Sequence, residues 1–254
     1  MVESREPKGR FAANVALVVG GRGGMGAAVT VKLREEGATV FVADLGPPRA
    51  PEEIEVDVTS EASVEAAFSH VERHAAAPDV VVFLAGAFEA RAFLESDDEL
   101  YQRLYAVNVF GGARVVRCAG KRMKESRTGS IVVVASQSAR VVRLGQAVYG
   151  SSKAALAYLT KVAGLELAPF GVRCNLVMPG VTETPMARAI WDSGKGSAEG
   201  HIVGDLARFR SPIPLGRVAQ ADDIAAAVLF LASPEARHVT MTEVIVDGGA
   251  SLIA

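Results

Sequence analysis

Short runs of apolar residues alternate along the chain with longer segments of helical composition. The apolar runs are rich in β-branched residues and cover residues 15–19, 39–43, 80–84, 131–135, 173–177 and 244–246. Runs that are apolar at consecutive positions are typical of strands buried on both faces of a parallel sheet. Helices are predicted between them, over residues 27–36, 60–76, 98–124 and 149–167. The pattern therefore predicts an α/β fold, a single Rossmann-type doubly wound parallel sheet flanked by helices on both faces.

Two segments depart from this alternation, and neither divides the chain, so residues 1–254 are predicted to form one domain. Residues 1–12 are predicted to be flexible. Residues 185–212 contain the sole tryptophan, Trp191, together with several glycines and mixed polarity. Such a segment is either a lid that closes over a substrate or an irregular surface connection, and the sequence leaves both open.

A glycine-rich turn joins the first predicted strand to the first helix. It reads Gly20-Gly21-Arg22-Gly23-Gly24-Met25-Gly26. A strand, glycine turn and helix in this order form a dinucleotide-binding unit, because glycines let the backbone approach the pyrophosphate and the helix N-terminus attracts negative charge. The sequence therefore predicts a dinucleotide cofactor at this turn.

An acidic residue at the end of the second strand indicates which dinucleotide binds. Asp44 lies eighteen residues beyond Gly26, where a carboxylate can accept hydrogen bonds from the adenosine ribose and repel a 2′-phosphate. This favours NAD over NADP. Arg22 is the contrary signal, since a guanidinium in the glycine turn can reach a phosphate, although it is also compatible with a solvated loop charge.

Tyr149 and Lys153 lie one helical turn apart, so the phenol and the ammonium project from the same face. A phenol with the ordinary pKa of about 10 is a poor base at neutral pH, but a neighbouring cation favours the phenolate. Ser136, thirteen residues upstream, can hold a reacting oxygen. Taken alone, the short Tyr-x-x-x-Lys pattern also fits a buried tyrosine and a surface lysine.

The candidate residues fall at one edge of the predicted sheet. Ligands of open α/β sheets bind at the carboxyl ends of the strands. The residues that follow strands are Gly20, Asp44, Asp57, Gly86, Ser136 and Pro179. This shared edge predicts that they contribute to one site.

Composition narrows the classes of protein. The net charge of −2 and pI of about 6.1 predict no nucleic-acid partner. Cys118, Cys174 and the four histidines do not form a ligand pattern, so no metal is predicted. The longest apolar run, residues 80–88, is far shorter than the roughly 20 residues of a membrane helix. The N-terminus lacks a signal-peptide pattern, and a cytoplasmic protein without a membrane partner is expected.

Together, these motifs resemble those of the short-chain dehydrogenase/reductase family over nearly the whole chain, from about residue 11 to 249. The resemblance implies that Tyr149 is the acid/base, that Lys153 lowers its pKa and binds the nicotinamide ribose, that Ser136 orients the substrate oxygen and that Asn108 holds a water in a proton relay. It also implies cofactor contacts from these two residues and from Gly20, Arg22, Gly24, Met25, Gly26, Asp44, Leu45, Asp57, Val58, Ala85, Gly86, Pro179, Gly180, Thr182 and Thr184.

Two positions depart from the family pattern. Val19 replaces the threonine that usually opens the glycine motif, and Phe83-Leu84-Ala85-Gly86 stands where the family often has Asn-Asn-Ala-Gly or Asn-Ala-Ala-Gly. Both departures affect residues that support the backbone near the cofactor. They therefore put the protein's affinity for the cofactor in question more than the reaction itself.

A narrower likeness is to the members of this family that oxidise 2,3-dihydro-2,3-dihydroxybenzoate. It rests on residues 171–175, 179–184, 213–217 and 246–252, and on Arg143, six residues before Tyr149. A guanidinium there offers a planar fork for a carboxylate, although a solvent-facing loop arginine is the alternative. Gln146 is predicted to share this substrate site.

The resemblance thus implies an NAD-dependent oxidation of a carboxylated cyclic alcohol to an aromatic product of siderophore-type biosynthesis. The alternatives are a dihydro-3-hydroxyanthranilate substrate, a reductase of 3-oxoacyl thioesters or small ketones, and an NAD(H)-sensing regulatory protein. The family also implies a homotetramer assembled through residues 98–124 and 149–167.

Overall fold

A computed structural model describes residues 9–194 and 196–252. Its centre is a seven-stranded, fully parallel sheet with the order β3-β2-β1-β4-β5-β6-β9. The strands are β1 (Val15–Val19), β2 (Thr39–Asp44), β3 (Glu53–Glu55), β4 (Val80–Phe83), β5 (Gly129–Val134), β6 (Val172–Pro179) and β9 (Glu243–Val246). A separate parallel pair joins β7 (Thr182–Glu183) to β8 (Ala219–Gln220).

Helices cover both faces of the sheet. They are α1 (Gly24–Glu35), α2 (Glu61–His74), α3 (Asp98–Tyr105), α4 (Gly112–Ser126), α5 (Ala147–Leu167), α6 (Pro185–Asp192), α7 (Ala198–Val203) and α8 (Ala221–Ala232). One buried core lies between the sheet and α2, α4 and α5, and a second lies between the sheet and α1 and α8. The predicted doubly wound parallel sheet is therefore confirmed.

The order of the strands reverses between β1 and β4. The chain winds from β1 out to β3, returns to β4 and then proceeds toward β9 on the other side. A crevice for ligands forms at such a reversal, beyond the carboxyl ends of the strands.

The predicted helix over residues 98–124 is continuous but changes its winding in the middle. Between α3 and α4 lies a π turn, Ala106–Gly111. Close packing accompanies it, because a Cβ on Gly112 would lie 2.4 Å from Leu156 Cδ1. The π turn also displaces Asn108 from the position it would have in a regular helix, and such turns are frequent at functional sites.

The N-terminal boundary differs from the sequence prediction. Of the predicted flexible segment 1–12, residues 1–8 lie outside the described residues. Phe11, by contrast, is 1% exposed within the core beside α1 and α8, and its backbone N–H donates to Glu36 O at 3.0 Å. The packed part of the chain therefore begins before residue 12.

The segment predicted as a lid contains two short helices, α6 and α7. Thr184 caps α6 by accepting the N–H of Ala187 at 3.2 Å, and Ser197 caps α7 by accepting that of Gly200 at 2.9 Å. Trp191 packs in a small apolar cluster with Ile202 and Ile213. The segment is thus folded onto the domain beside the carboxyl edge, and its role as a lid stays a prediction.

Candidate active site

Ser136, Tyr149 and Lys153 meet at the carboxyl end of β5. Ser136 follows that strand, and its side chain lies close enough to Tyr149 on α5 to lower the pKa of the phenol. Lys153 Nζ lies one turn further along α5, 5.9 Å from the centre of the Tyr149 ring. The structure therefore brings together the three residues that the sequence predicts for proton transfer.

Burial governs the pKa values of this group. It raises the pKa of Tyr149, and the interaction with the Ser136 side chain lowers it in part. Burial also lowers the pKa of Lys153 to about 8, because the ammonium is almost fully removed from water. The causes of the Tyr149 pKa shift are burial and Ser136, and the lowering by Lys153 that the resemblance implies stays a prediction.

Asn108 connects the π turn to the catalytic helix. Its Oδ1 accepts the N–H of Ala87 at 2.8 Å, and its Nδ2 donates to Ala87 O at 2.9 Å and to Ser152 Oγ at 2.9 Å. The side chain is fully buried. Because its amide bonds the backbone that follows β4, Asn108 fixes that backbone beside Lys153. Its role in a proton relay stays a prediction.

A cleft of about 670 Å³ opens along the carboxyl ends of β1, β2 and β4. Twelve of the predicted cofactor residues line it: Gly20, Arg22, Gly24, Met25, Gly26, Asp44, Leu45, Asp57, Val58, Ala85, Gly86 and Thr184. Three others are not part of this wall: Pro179 ends β6, Gly180 follows it and Thr182 begins β7.

The glycine turn fits a dinucleotide pyrophosphate. Gly26 packs tightly, since a Cβ there would lie 2.2 Å from Gly20 O. The N-cap of α1 is Gly23, so no side chain caps the helix, and its first turn carries no acidic residue. The backbone N–H groups of the first turn therefore point into the cleft and can bind an anion.

Asp44 and Arg22 line this cleft near the carboxyl end of β2. The Asp44 carboxylate accepts the backbone N–H groups of Arg22 and Leu45, both at 2.8 Å. The Arg22 guanidinium pairs with Glu53 at 2.8 Å and donates to the carbonyl oxygens of Leu45 and Pro47 at 2.9 and 2.8 Å. Arg22 is therefore neither a solvated loop charge nor a guanidinium held free for a phosphate.

A second cleft, of about 830 Å³, lies between the loop after β4 and the loop between Ser136 and α5. Arg143 and Gln146 both line it. Gln146 Oε1 accepts a hydrogen bond from Ser138 at 2.7 Å. Arg143 is half-buried and donates to Ala250 O at 3.5 Å, so it is not a simple solvent-facing arginine.

A second arginine, missed by the sequence reasoning, lies near Arg143. Burial lowers the pKa of Arg143, the charge of Arg210 lowers it further, and Asp247 opposes both. Arg210 contacts His201 Nδ1 at 3.2 Å, while the adjacent Ser211 donates to the same Ala250 carbonyl oxygen as Arg143, at 2.6 Å. No motif marks Arg210, because it lies on an irregular segment far along the chain from Tyr149.

The described residues contain neither a candidate metal site nor a candidate membrane span. Residues 9–194 and 196–252 contain no group of three or more His, Cys, Asp or Glu side chains arranged to hold a metal ion. None of the helices in this part of the chain is long and apolar enough to cross a membrane.

The class of the protein follows from its fold, its glycine turn and its Ser136–Tyr149–Lys153 group. It is an oxidoreductase. A family model described as Enoyl-(Acyl carrier protein) reductase matches residues 19–251. The chain belongs to the short-chain dehydrogenase/reductase family. Members of this family use nicotinamide cofactors and act as dehydrogenases or reductases.

Among its relatives, the chain is similar to 2,3-dihydro-2,3-dihydroxybenzoate dehydrogenases. That of Bacillus subtilis is 38% identical, with 94% of this chain and 96% of the relative covered. That of Escherichia coli is 37% identical, with 95% and 98% covered. Among solved structures, the ligand-free aldohexose dehydrogenase of Thermoplasma acidophilum has a TM-score of 0.85 at 30% identity, with 96% of each chain covered.

Proposed function

We propose that the protein is an NAD-dependent dehydrogenase that oxidises a ring hydroxyl of 2,3-dihydro-2,3-dihydroxybenzoate, yielding 2,3-dihydroxybenzoate. The similarity to dehydrogenases of this substrate supports the reaction. The observation that carries the substrate class is the position of Arg143 in the wall of the second cleft, with the charge of Arg210 near enough to lower its pKa. Two adjacent cations repel, and a substrate carboxylate would relieve that repulsion.

In this mechanism Tyr149 takes the proton of the substrate hydroxyl. Ser136 holds the same oxygen, which keeps the hydroxyl within reach of the phenolate. The residues that line the 670 Å³ cleft would hold NAD, which would supply the acceptor for the hydride of the carbinol carbon. Lys153 has a pKa of about 8 and is therefore mostly charged at neutral pH, so it can stabilise the phenolate and bind a ribose hydroxyl.

The reaction requires no reactant other than the substrate and the dinucleotide. The carbinol carbon loses a hydride, its oxygen loses a proton to Tyr149, and the resulting dienone tautomerises to the catechol. Aromatisation makes the overall oxidation favourable. The protein's task is thus confined to orientation, one proton transfer and the exclusion of water.

NAD as the preferred dinucleotide rests on Asp44 and Glu53. Asp44 presents its carboxylate at the cleft wall, where a 2′-phosphate would be repelled. Glu53 binds the guanidinium of Arg22, which otherwise would attract that phosphate. Both charges therefore act in favour of NAD.

A homotetramer built through α4 and α5 is part of the same proposal. Several large apolar side chains of α5 are exposed, among them Tyr158 at 68% and Leu165 at 64%. Contiguous apolar exposure on a helix favours burial against another subunit. Light scattering on the purified protein tests the assembly, and a monomer would contradict it.

The deciding experiment is NAD reduction by the purified protein with a panel of ring substrates. The panel contains the dihydrodiol carboxylate, its 2-amino counterpart, a carboxylate-free cyclic alcohol and, in the reverse direction, a 3-oxoacyl thioester. We expect the highest kcat/KM with the dihydrodiol carboxylate. Preference for the amino substrate, for the carboxylate-free alcohol or for the thioester would select an alternative, and no turnover with any of them would favour a cofactor-sensing role.

A further inference from the structure

The second cleft has a cationic wall. No described aspartate or glutamate lines it, whereas four arginines do: Arg91, Arg140, Arg143 and Arg208. The first two are neutralised within the protein, by Glu89 at 2.6 Å and by Glu243 at 3.5 Å. Arg143 and Arg208 form no ion pair with any residue in the ranges 9–194 and 196–252. The cleft therefore presents two positive charges that this part of the chain leaves without a carboxylate partner.

Arg208 reaches the cleft from the segment predicted as a lid. It ends a short 3₁₀ turn, Leu206–Arg208, in which the Asp205 side chain accepts the Arg208 N–H at 3.2 Å. Phe209 follows with a φ of +53°, in the left-handed region that non-glycine residues seldom adopt. The chain thereby turns back, and Asp205 and Arg210 pair through two backbone hydrogen bonds of 2.8 Å. Arg208 is thus held near the tip of a closed turn.

The base of this turn is anchored beside Arg143, while its tip is exposed. Ser211 donates to Ala250 O at 2.6 Å, and Arg143 donates to that same oxygen at 3.5 Å. Residues 206–209 are all exposed. The Arg208 guanidinium makes no hydrogen bond to the described part of the chain. The tip can therefore move relative to its base and carry this guanidinium over the cleft.

A carboxylate is the ligand that suits two such arginines. Its two oxygens have enough lone pairs to accept hydrogen bonds from both guanidiniums at once. The single long bond from Arg143 to Ala250 O leaves most of the N–H donors of Arg143 for a ligand. A charge-assisted contact becomes stronger as water is removed from around it. An arginine on a turn that closes over the ligand therefore adds affinity that it lacks in the open state.

We propose that Arg208 is a second binding residue for the substrate carboxylate and contacts it from the side of the cleft opposite Arg143. This rests on the proposed function, which gives the ring its carboxylate. Arg143 binds from the loop between Ser136 and α5, and Arg208 binds from the lid segment. Because the carboxylate does not react, such a contact stabilises the bound substrate and the transition state equally. Arg208 therefore acts on KM more than on kcat.

The first test measures affinity without turnover. Benzoate and benzamide have nearly the same shape and differ in charge, and isothermal titration calorimetry with NAD present gives a Kd for each. The wild-type protein is expected to bind benzoate more tightly. Arg208→Gln removes the charge and keeps a polar amide. It should weaken benzoate binding by about five- to tenfold and leave the Kd of benzamide within about twofold.

Arg188→Gln is the matched control for this test. Arg188 lies on α6 of the same segment, its side chain is 65% exposed, and it lines neither cleft. Its replacement should leave both Kd values unchanged. Equal affinity of the wild type for benzoate and benzamide would overturn the proposal. So would an unchanged benzoate Kd in Arg208→Gln, or equal losses for the two ligands.

The second test uses steady-state kinetics to separate binding from a structural role. Arg208→Gln should raise KM for the dihydrodiol carboxylate by about five- to tenfold and leave kcat within about twofold. KM for a carboxylate-free cyclic alcohol should be the same in both proteins. Because Arg208 is exposed, its replacement should not change Tm. A fall in kcat at constant KM would contradict a carboxylate contact.

Failure of the proposed function gives a different pattern. Benzoate binding needs no turnover, so it can depend on Arg208 in a protein that oxidises none of the carboxylated rings. That result would retain the carboxylate site and reject the proposed reaction. Oxidation of the dihydrodiol carboxylate with the same KM in wild type and Arg208→Gln would retain the reaction and reject the role of Arg208.

Discussion

Asn108 Nδ2 donates a hydrogen bond of 2.9 Å to Ser152 Oγ, in the turn of α5 that separates Tyr149 from Lys153. Ser152 Oγ in turn donates to the Tyr149 carbonyl oxygen at 2.7 Å. The π turn and the catalytic helix are therefore joined through two fully buried side chains. This connection ties the position of the reacting phenol to a residue 41 positions earlier in the chain.

Asn108→Leu is expected to lower both stability and turnover. It removes three hydrogen bonds and leaves the N–H and carbonyl groups of Ala87 without their partner. The expected loss is on the order of 2–4 kcal/mol in the free energy of unfolding, with reduced kcat even at temperatures where the variant is folded. Urea unfolding and steady-state kinetics measure the two effects. Ser152→Ala is the matched control, since it leaves both hydrogen bonds between Asn108 and Ala87 in place and should cost less on both measures.

Tyr149→Phe is expected to retain the fold and cofactor binding and to lose turnover by at least the roughly 10²–10⁴-fold of general acid/base catalysis. The substitution removes the titrating oxygen but keeps the ring that packs against Phe88, whose centre lies 4.9 Å away. NADH fluorescence titration reports binding, and initial rates report turnover. Turnover close to that of wild type would refute the assignment of Tyr149 as the acid/base.

Lys153→Met is expected to abolish turnover and yet stabilise the protein in the absence of cofactor. Burial lowers the Lys153 pKa from its ordinary 10.5 to about 8, which corresponds to at most on the order of 3 kcal/mol against the folded state. The penalty is fully present below pH 8 and disappears as the pH rises toward 10.5, because the unfolded chain binds the proton more tightly. Tm at pH 7 and at pH 10 measures it.

Lys121→Met on α4 serves as the control for this prediction. Lys121 is exposed, so its replacement should leave Tm nearly unchanged at both values of pH. A Lys153→Met protein that is less stable than wild type at pH 7 would mean that the contacts of the ammonium, such as that with Val134 O at 3.5 Å, outweigh its desolvation.

The sequence predicted those parts of the fold that rest on long apolar runs. β1 is apolar and buried along its length and β5 is so from Ile131 to Val134, and the residues that follow them fall where the prediction places them. β3 was missed, because it has three residues and two of them are glutamates. The π turn was missed as well, because the same helical composition is compatible with an α-helix and with a π turn.

The sequence predicted the candidate-site residues that belong to motifs of fixed spacing. It did not predict the contacts that tertiary packing creates between residues distant in the chain. Tyr149 and Lys153 share a helix turn whatever the rest of the chain does. The pairing of Arg22 with Glu53 spans 31 positions and depends on how β2 and β3 lie beside the glycine turn. Arg210 acquires its significance only from neighbours distant in sequence.

Asp44→Ala is expected to narrow a strong preference for NAD, by weakening NAD binding and relieving the repulsion of a 2′-phosphate. Glu53→Gln provides a second and independent test. It keeps the shape of the side chain but removes the charge that pairs with Arg22, so it should improve kcat/KM with NADP and leave that with NAD nearly unchanged. Comparison of kcat/KM for both cofactors measures each effect. A wild-type preference for NADP would show that the charge of Arg22 prevails over that of Asp44.

Arg143→Ala is expected to reduce kcat/KM on the dihydrodiol carboxylate by about ten- to a hundredfold, because it removes a charge-assisted contact worth on the order of 1.5–3 kcal/mol. A carboxylate-free cyclic alcohol should be almost unaffected. Arg143→Lys should recover little, since an ammonium cannot reproduce the planar fork. Arg140→Ala is the matched control, because this loop arginine is 52% exposed and faces Glu243. Equal losses on both substrates would make Arg143 a structural residue and remove the physical reason for a carboxylated ring.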